Sequence, residues 1–350
     1  MNKPLRTLFY GLKHEHSAGT LATLAKMRDD FEIVAVADDR ARATPSYRAD
    51  PLLLDGLKIV SEAEALAIRN IDVVFVEVAN NDLMEIARIY AERGVPMHCD
   101  KPCGETMGPY REVVEICRAK NLPMQMGYMF RANPGVRFCH KAVREGWLGS
   151  VVHIEADMNH DYGDDSYQKY VGTFKGGILY NLGCHLIDLI LPMMDGALVR
   201  ATNVTGTAKG DGPDCLNRCA ALLEWPTATA LIRSCSRVPG GLPHRRLRID
   251  GTKGTIDLCP IERFDGERLT LDLTLVEAVG GFAAGRHVVD LGVQTDRYMD
   301  QLRELAEIVR GERPNPAEMY DHDLKVHEIT LEACGYDKRQ LHHFRGEQTI

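Results

Sequence analysis

The chain has 350 residues, of which 45% are hydrophobic and 26% charged, and its formal net charge is −8. This is ordinary globular usage in a chain long enough for two domains. The negative charge, without a run of Lys or Arg, argues against a nucleic-acid partner, and no apolar stretch reaches the ~20 residues that span a membrane.

The ten cysteines are scattered and form no C-x-x-C pair. Several lie inside apolar runs, where a free thiol packs as a small hydrophobic group. The start, Met1-Asn2-Lys3-Pro4, lacks the hydrophobic region of a signal peptide. We therefore expect a cytoplasmic protein.

The first part of the chain alternates short apolar runs with helical patterns. The predicted strands are 5–11, 31–37, 59–60, 72–78, 94–99 and 123–128. The predicted helices between them lie near 21–27, 62–68, 82–93 and 109–120. This alternation predicts an α/β domain with a doubly wound parallel sheet, whose ligands bind at the carboxyl ends of the strands.

The pattern changes at about residue 128. A helix at 135–145, a strand at 151–159, a polar loop at 161–175 and a helix containing Asn181 and His185 come first. From 198 to 291 strand follows strand, and two helices, 296–310 and 318–334, come last. Consecutive strands predict a second, α+β domain with a large, open, mostly antiparallel sheet. We place the domains at 1–127 and 128–350.

The loop after the first strand is where a dinucleotide fingerprint, G-x-G-x-x-G, belongs. Only Gly11 matches it, because Lys13 and His16 stand at the second and third glycine positions. Amide groups at the start of the next helix can still hold a phosphate. His14 and His16 also raise the question of a metal, but no matching cluster lies nearby in the sequence, and we expect no metal site.

Asp38 ends the second strand, 27 residues after Gly11. An acidic residue there accepts hydrogen bonds from the adenosine ribose and repels a 2′-phosphate. Asp39 adds negative charge, which Arg40 offsets only in part. The sequence therefore favours NAD over NADP.

Two further motifs carry candidate chemistry. Asp100-Lys101-Pro102 follows the fifth strand, where a lysine can stabilise a developing alkoxide. Asn181 and His185 are four residues apart and share one face of an amphipathic helix, with the apolar stripe in the core and the polar face lining a cleft. Imidazole is the side chain best matched to proton transfer near neutral pH.

Together, these motifs resemble the Gfo/Idh/MocA family, named for glucose–fructose oxidoreductase, inositol dehydrogenase and a rhizopine-catabolism protein. The carrying stretches are 100–102, 127–134, 176–188 and 249–256. The resemblance implies an N-terminal Rossmann domain, bound NAD(P), and a catalytic lysine and histidine, which match Lys101 and His185. The chain departs from the family pattern in its glycine loop, in Val78-Ala79-Asn80, and in Asn181, where an aspartate is usual.

The predicted site residues fall into three sets. The catalytic set is Lys101, His185 and Asn181. The cofactor-binding set is Gly11, Leu12, His14, His16, Asp38, Asp39, Asn80, Asp100 and Lys101. The substrate-binding set is Arg131, His160, Tyr162 and Asn181, and neighbouring candidates are Asp164, Asp165 and Tyr170.

The resulting hypothesis is an NAD-dependent oxidoreductase that oxidises a ring hydroxyl of a sugar, glycoside or cyclitol. Two alternatives remain open. One is a redox-neutral glycoside-cleaving enzyme that recycles its NAD through a keto intermediate. The other is a non-catalytic ligand sensor on the same scaffold. Because the open face of an antiparallel sheet usually needs covering, we expect a homodimer or homotetramer.

Overall fold

A computed structural model of the chain describes residues 3–48, 50–161 and 164–337, which form two compact units. One unit combines the described residues up to Tyr128 with Tyr298–Glu328, and the other combines Met129–Arg297 with Ile329–Tyr336. The segment 298–328, assigned from the sequence to the second domain, thus lies in the first unit. Tyr320 helps to hold it there, since its hydroxyl donates to the Leu122 carbonyl at 2.7 Å.

Fourteen strands and nine α-helices are found in the described residues. The strands of the first unit are β1 (Leu5–Tyr10), β2 (Phe31–Asp38), β3 (Ile59–Ser61), β4 (Val73–Val76), β5 (Met97–Cys99) and β6 (Met124–Met126). Those of the second are β7 (Val151–Asn159), β8 (Arg200–Val204), β9 (Arg218–Glu224), β10 (Thr229–Cys235), β11 (Arg246–Gly251), β12 (Gly254–Leu258), β13 (Arg268–Leu275) and β14 (Gly285–Val293). The helices are α1 (Ser17–Lys26), α2 (Glu62–Ala67), α3 (Leu83–Glu92), α4 (Met107–Ala119), α5 (Pro134–Arg144), α6 (Asp165–Val171), α7 (Cys184–Ile190), α8 (Met299–Val309) and α9 (Glu318–Ala333).

The sheet of the first unit has the order β3-β2-β1-β4-β5-β6, with every neighbouring pair parallel. All four residues of β4 are buried, as expected for a parallel strand covered on both faces. The strand order reverses between β1 and β4, which creates the crevice where α/β sheets bind ligands. The predicted doubly wound sheet is confirmed.

The sheet of the second unit has the order β14-β13-β12-β11-β7-β10-β9-β8. Its pairs are antiparallel except for β7 and β10, which run parallel. Alternate side chains of β13, from Leu269 to Leu275, are buried, so that one face carries the core and the other remains polar. The predicted open, mostly antiparallel sheet is confirmed.

Two local predictions differ from the structure. The predicted polar loop at 161–175 contains α6, whose first turn is capped by the Asp164 carboxylate accepting the Tyr167 N–H at 3.0 Å. The predicted helix of Asn181 and His185 is a π-helical turn, Leu179–Gly183, continued by α7. Every residue of both segments is buried.

None of the described helices is long and apolar enough to cross a membrane. All ten cysteines lie in the described residues, and each is a free thiol.

Candidate active site

The loop between β1 and α1 keeps the tight turn of a nucleotide-binding loop. Gly11 has a φ of +107°, and a Cβ added there would lie 2.6 Å from the Glu77 backbone. Two amides of the loop are already bonded within the protein: Leu12 N–H donates to Asp39 at 2.7 Å, and His14 N–H donates to the Glu77 carbonyl at 3.0 Å. The loop therefore keeps the tight turn, but these two amides already serve Asp39 and Glu77.

The end of β2 carries the acidic pair predicted from the sequence. Asp38 is partly exposed and accepts two hydrogen bonds from the Arg40 guanidinium, at 2.8 and 2.6 Å. These bonds hold the pKa of Asp38 below its usual value. Asp39 is buried against the Leu12 amide, and burial raises its pKa to about 6. Asp38 thus ends β2 with a partly exposed carboxylate, while Asp39 holds the loop after β1 through the Leu12 amide.

Lys101 is fully buried directly after β5, and Glu15 of the eroded loop holds its ammonium at 3.2 Å. Burial alone would raise the pKa of Glu15, but the charges of Lys101, His16 and His14 together outweigh it and keep that pKa below its usual value. The Lys101 carbonyl lies 3.0 Å from His14 Nε2 and accepts from Asn80 Nδ2 at 3.0 Å. Glu15 and His14, which lie inside the eroded glycine motif, therefore help to hold the Asp-Lys-Pro motif in place.

Asp100 lies in a buried group of imidazoles and carboxylates. His14 Nδ1 is 3.4 Å from Asp100 Oδ2 and 3.5 Å from Glu77 Oε2, and His16 Nδ1 is 3.1 Å from Asp100 Oδ2. Burial opposes ionisation of Asp100, but His14, His16 and Lys101 outweigh it, and its pKa lies well below the usual value. Burial and the Asp100 charge raise the pKa of Glu77 well above its usual value. Burial also lowers the pKa of His14 to about 4.

In the second unit, His185 begins the first turn of α7 and is 1% exposed. Its ring meets the edge of Phe130, with centroids 5.6 Å apart. Asn181, also buried, accepts a hydrogen bond on Oδ1 from the Tyr167 hydroxyl at 3.2 Å. This bond orients the amide so that Nδ2 is its donor end.

The remaining substrate candidates are placed by ion pairs within the second unit. Arg131 donates to both oxygens of Asp188, which lies on α7 three residues after His185, with a closest approach of 2.6 Å. His160 follows β7 and receives an N–H of Arg245 at 2.7 Å. Tyr162 lies outside the described residues.

The comparisons with known proteins agree with this architecture. A sequence model of the GFO/IDH/MocA C-terminal domain matches residues 136–257. D-apiose dehydrogenase of Paraburkholderia graminis is 25% identical over 66% of this chain and 61% of its own length. D-xylose 1-dehydrogenase (NADP(+)) 2 of Haloferax volcanii is 23% identical over 86% of this chain and 84% of its own length.

A solved oxidoreductase from Agrobacterium radiobacter, in complex with NAD+, L-tartaric acid and magnesium, has the same fold. The TM-score is 0.72 at 17% identity, with 93% of this chain and 94% of that chain covered. Residues 136–257 therefore match the C-terminal domain of the Gfo/Idh/MocA family, the family that the sequence motifs resemble. The predicted recognition is confirmed.

The predicted site residues gather in two groups. In the first unit the fold brings together Gly11, Leu12, His14, His16, Asn80, Asp100 and Lys101, while Asp38 ends the neighbouring strand β2. In the second unit His185 and Asn181 lie on consecutive helical turns, and Arg131 is bonded to the helix that carries His185. Their roles stay predictions.

Three residues that hold the site were not predicted from the sequence. Glu77 directly follows the apolar run of β4, which is the same signal that singled out Asp38 and Asp100. Glu15 stands inside the eroded glycine motif and gives no local sign that it reaches Lys101. Tyr167 lay in a segment predicted to be a loop.

Proposed function

We propose that the protein is an NAD-dependent dehydrogenase that oxidises a ring hydroxyl of a sugar, glycoside or cyclitol. The observation that carries the proposal is a buried ammonium, that of Lys101, at the carboxyl end of β5 beside the crevice of the parallel sheet. A cation in a low-dielectric site is well suited to stabilise a developing alkoxide. Relatives named as dehydrogenases of apiose and xylose support a sugar as the substrate class.

The mechanism assigns one task to each side chain. NAD, when bound, accepts the hydride. His185 takes the proton of the hydroxyl through its imidazole, and Lys101 stabilises the negative charge that develops on the oxygen. Asn181 donates its amide N–H to a neighbouring hydroxyl, because the Tyr167 hydroxyl occupies the amide oxygen. An amide cannot take up a proton, so the acid–base work belongs to His185.

The cofactor preference rests on Asp38. Its carboxylate would accept the ribose hydroxyls, and Gly11, Leu12 and Asn80 would form the floor of the cofactor site. Arg40 neutralises part of the Asp38 charge, which makes rejection of a 2′-phosphate weaker than for an isolated aspartate. We therefore propose NAD as the preferred cofactor, with measurable use of NADP.

A panel of sugars, glycosides and cyclitols with NAD and with NADP, followed at the NADH absorbance, tests this function. On the best substrate, Lys101→Ala and His185→Ala are each expected to lower kcat by about 10²–10⁴-fold. A matched control is His153→Ala, at a partly exposed histidine of β7 that bonds to Thr229. If Lys101→Ala and His185→Ala both keep near-normal turnover, the proposed mechanism is wrong.

A non-catalytic ligand sensor is the second candidate, favoured by the Leu12 and His14 amides that already serve Asp39 and Glu77. Calorimetry separates the two functions, since a sensor on this scaffold would bind sugar but not NAD at millimolar concentration. Release of aglycone from a glycoside without net NADH would instead identify redox-neutral cleavage.

A homodimer or homotetramer is part of the proposal. On the outer face of the second sheet, Leu222 of β9 and Leu231 of β10 stand directly opposite each other and are 45% and 39% exposed. Paired apolar side chains on an open sheet face support association through that face. Leu222→Glu with Leu231→Glu is expected to convert the oligomer to a monomer in size-exclusion chromatography with light scattering.

A further inference from the structure

Five side chains of the first unit form a cluster under the loop after β1: His14, His16, Glu77, His98 and Asp100. Four are at most 1% exposed, and the side chain of His16 is 14% exposed. Two overlapping triples, both including Asp100, place candidate metal ligands within 4.8 Å of one another. Although no such cluster is visible in the sequence near His14, the fold creates one, because Glu77 and Asp100 follow the adjacent strands β4 and β5.

Three of the distances between these atoms are close to those in a coordination shell. A tetrahedral ion with ligands at ~2.0–2.2 Å holds its ligand atoms about 3.3–3.6 Å apart. His14 Nδ1 lies 3.4 Å from Asp100 Oδ2 and 3.5 Å from Glu77 Oε2, and His16 Nδ1 lies 3.1 Å from Asp100 Oδ2. Two imidazole nitrogens and two carboxylate oxygens are a donor set that suits zinc.

A second observation points to a cation independently of this spacing. Glu77 is completely buried, and neither of its oxygens has a hydrogen-bond partner among the described residues. One of those oxygens faces His14 Nδ1, which itself faces Asp100. Three possible ligand atoms thus converge in a buried space, where an unpaired polar group is costly unless a partner such as a cation satisfies it.

The outer contact of the His14 imidazole also has the form found at metal sites. His14 Nε2 lies 3.0 Å from the Lys101 carbonyl. Ligating histidines commonly donate their other ring N–H to a carbonyl oxygen in this way, which fixes the tautomer and leaves the facing nitrogen with its lone pair. In the structure, His14 Nδ1 accepts a hydrogen bond from the His16 backbone N–H at 3.1 Å, and a bound ion would replace this contact.

We propose that His14, His16 and Asp100 bind a zinc ion, with Glu77 as the fourth ligand. The ion ties the loop after β1 to the ends of β4 and β5, and so holds Asp100-Lys101-Pro102 against a loop that has lost its glycines. This assignment does not depend on the proposed dehydrogenase activity, because metal binding is measured without NAD or substrate.

The test is metal analysis of the full chain, purified, stripped with a chelator and titrated with ZnCl2 by calorimetry. Wild type is expected to bind about one zinc ion per chain and to unfold at a higher temperature once loaded. His14→Gln and Asp100→Asn are expected to abolish the titration. Glu77→Gln, which keeps the shape and removes the charge, is expected to weaken zinc binding at least about tenfold.

The matched control is His153→Gln, which changes a partly exposed histidine of β7 and is expected to bind zinc as wild type does. Wild-type protein that takes up no zinc under these conditions overturns the proposal, whether or not the variants fold. Equal zinc affinity in wild type and in folded Glu77→Gln overturns the assignment of Glu77. If Glu77→Gln is as stable as metal-free wild type and neither binds zinc, the cluster holds a proton instead.

Discussion

The ion pair between Glu15 and Lys101 makes a quantitative prediction. The Lys101 side chain is fully buried and that of Glu15 is 9% exposed, with Nζ and Oε1 3.2 Å apart. At that distance an effective dielectric constant of ~20 corresponds to about 5 kcal/mol of attraction. Removing one partner of a buried pair costs about 3–5 kcal/mol. Glu15→Gln keeps an acceptor oxygen, so we expect a smaller loss of about 2–3 kcal/mol in the free energy of unfolding.

A double-mutant cycle isolates this pair. Lys101→Met removes the charge and keeps an unbranched side chain, so Glu15→Gln should cost less than about 1 kcal/mol in that background. Urea unfolding followed by circular dichroism gives the four free energies. Tryptophan fluorescence would not report directly on unfolding around Glu15 and Lys101, because Trp147 and Trp225 both belong to the second unit.

The control pair is Lys253 with Glu277, also a lysine–glutamate contact, at 2.7 Å but with side chains 55% and 60% exposed. Glu277→Gln is expected to cost less than about 1 kcal/mol, because solvent screens exposed pairs. If Glu15→Gln destabilises the protein no more than Glu277→Gln does, the argument that burial strengthens the Lys101 pair is refuted.

Three further predictions concern other residues. Gly11→Ala should lower the free energy of unfolding by more than about 2 kcal/mol, because Gly11 has a φ of +107° and an added Cβ would lie 2.6 Å from backbone atoms. Gly56→Ala should lower it by only about 1 kcal/mol, because Gly56 has a φ of +76° but open space around it. Equal urea midpoints for the two variants would contradict this prediction. Burial lowers the pKa of His327 to about 4, so between pH 6.5 and 4 only the unfolded chain takes up its proton, and stability falls as the pH drops. In His327→Gln, the urea midpoint of unfolding should depend less steeply on pH over that range. An unchanged dependence would contradict the role of His327. Arg40→Ala frees the Asp38 carboxylate, and calorimetry should show the ratio of NAD to NADP affinity rising by about tenfold; a falling ratio would show that Asp38 does not face the ribose.

Local sequence was sufficient to predict the two sheets and the tight turn at Gly11. Strand β4 is apolar throughout and β1 and β2 are mostly apolar, and their alternation with helical patterns is a property of neighbouring residues. The family motifs added Lys101 and His185, because each is a short stretch with a recognisable composition. Helix α6 was missed, since Asp164 and its polar neighbours read as a loop until Tyr167, Tyr170 and Val171 are seen to be buried.

The partners of the site residues were decided only by the tertiary structure. Glu15 and Lys101 are 86 positions apart, and His16 and Asp100 are 84 apart. Periodicity reports which face of a strand or helix is buried, but not which loop the carboxyl end of that strand meets. That depends on the strand order of the sheet and on the path of the loop after β1. The sequence alone therefore identified Lys101 as a candidate, and only the fold showed that Glu15, His14 and Asn80 hold it.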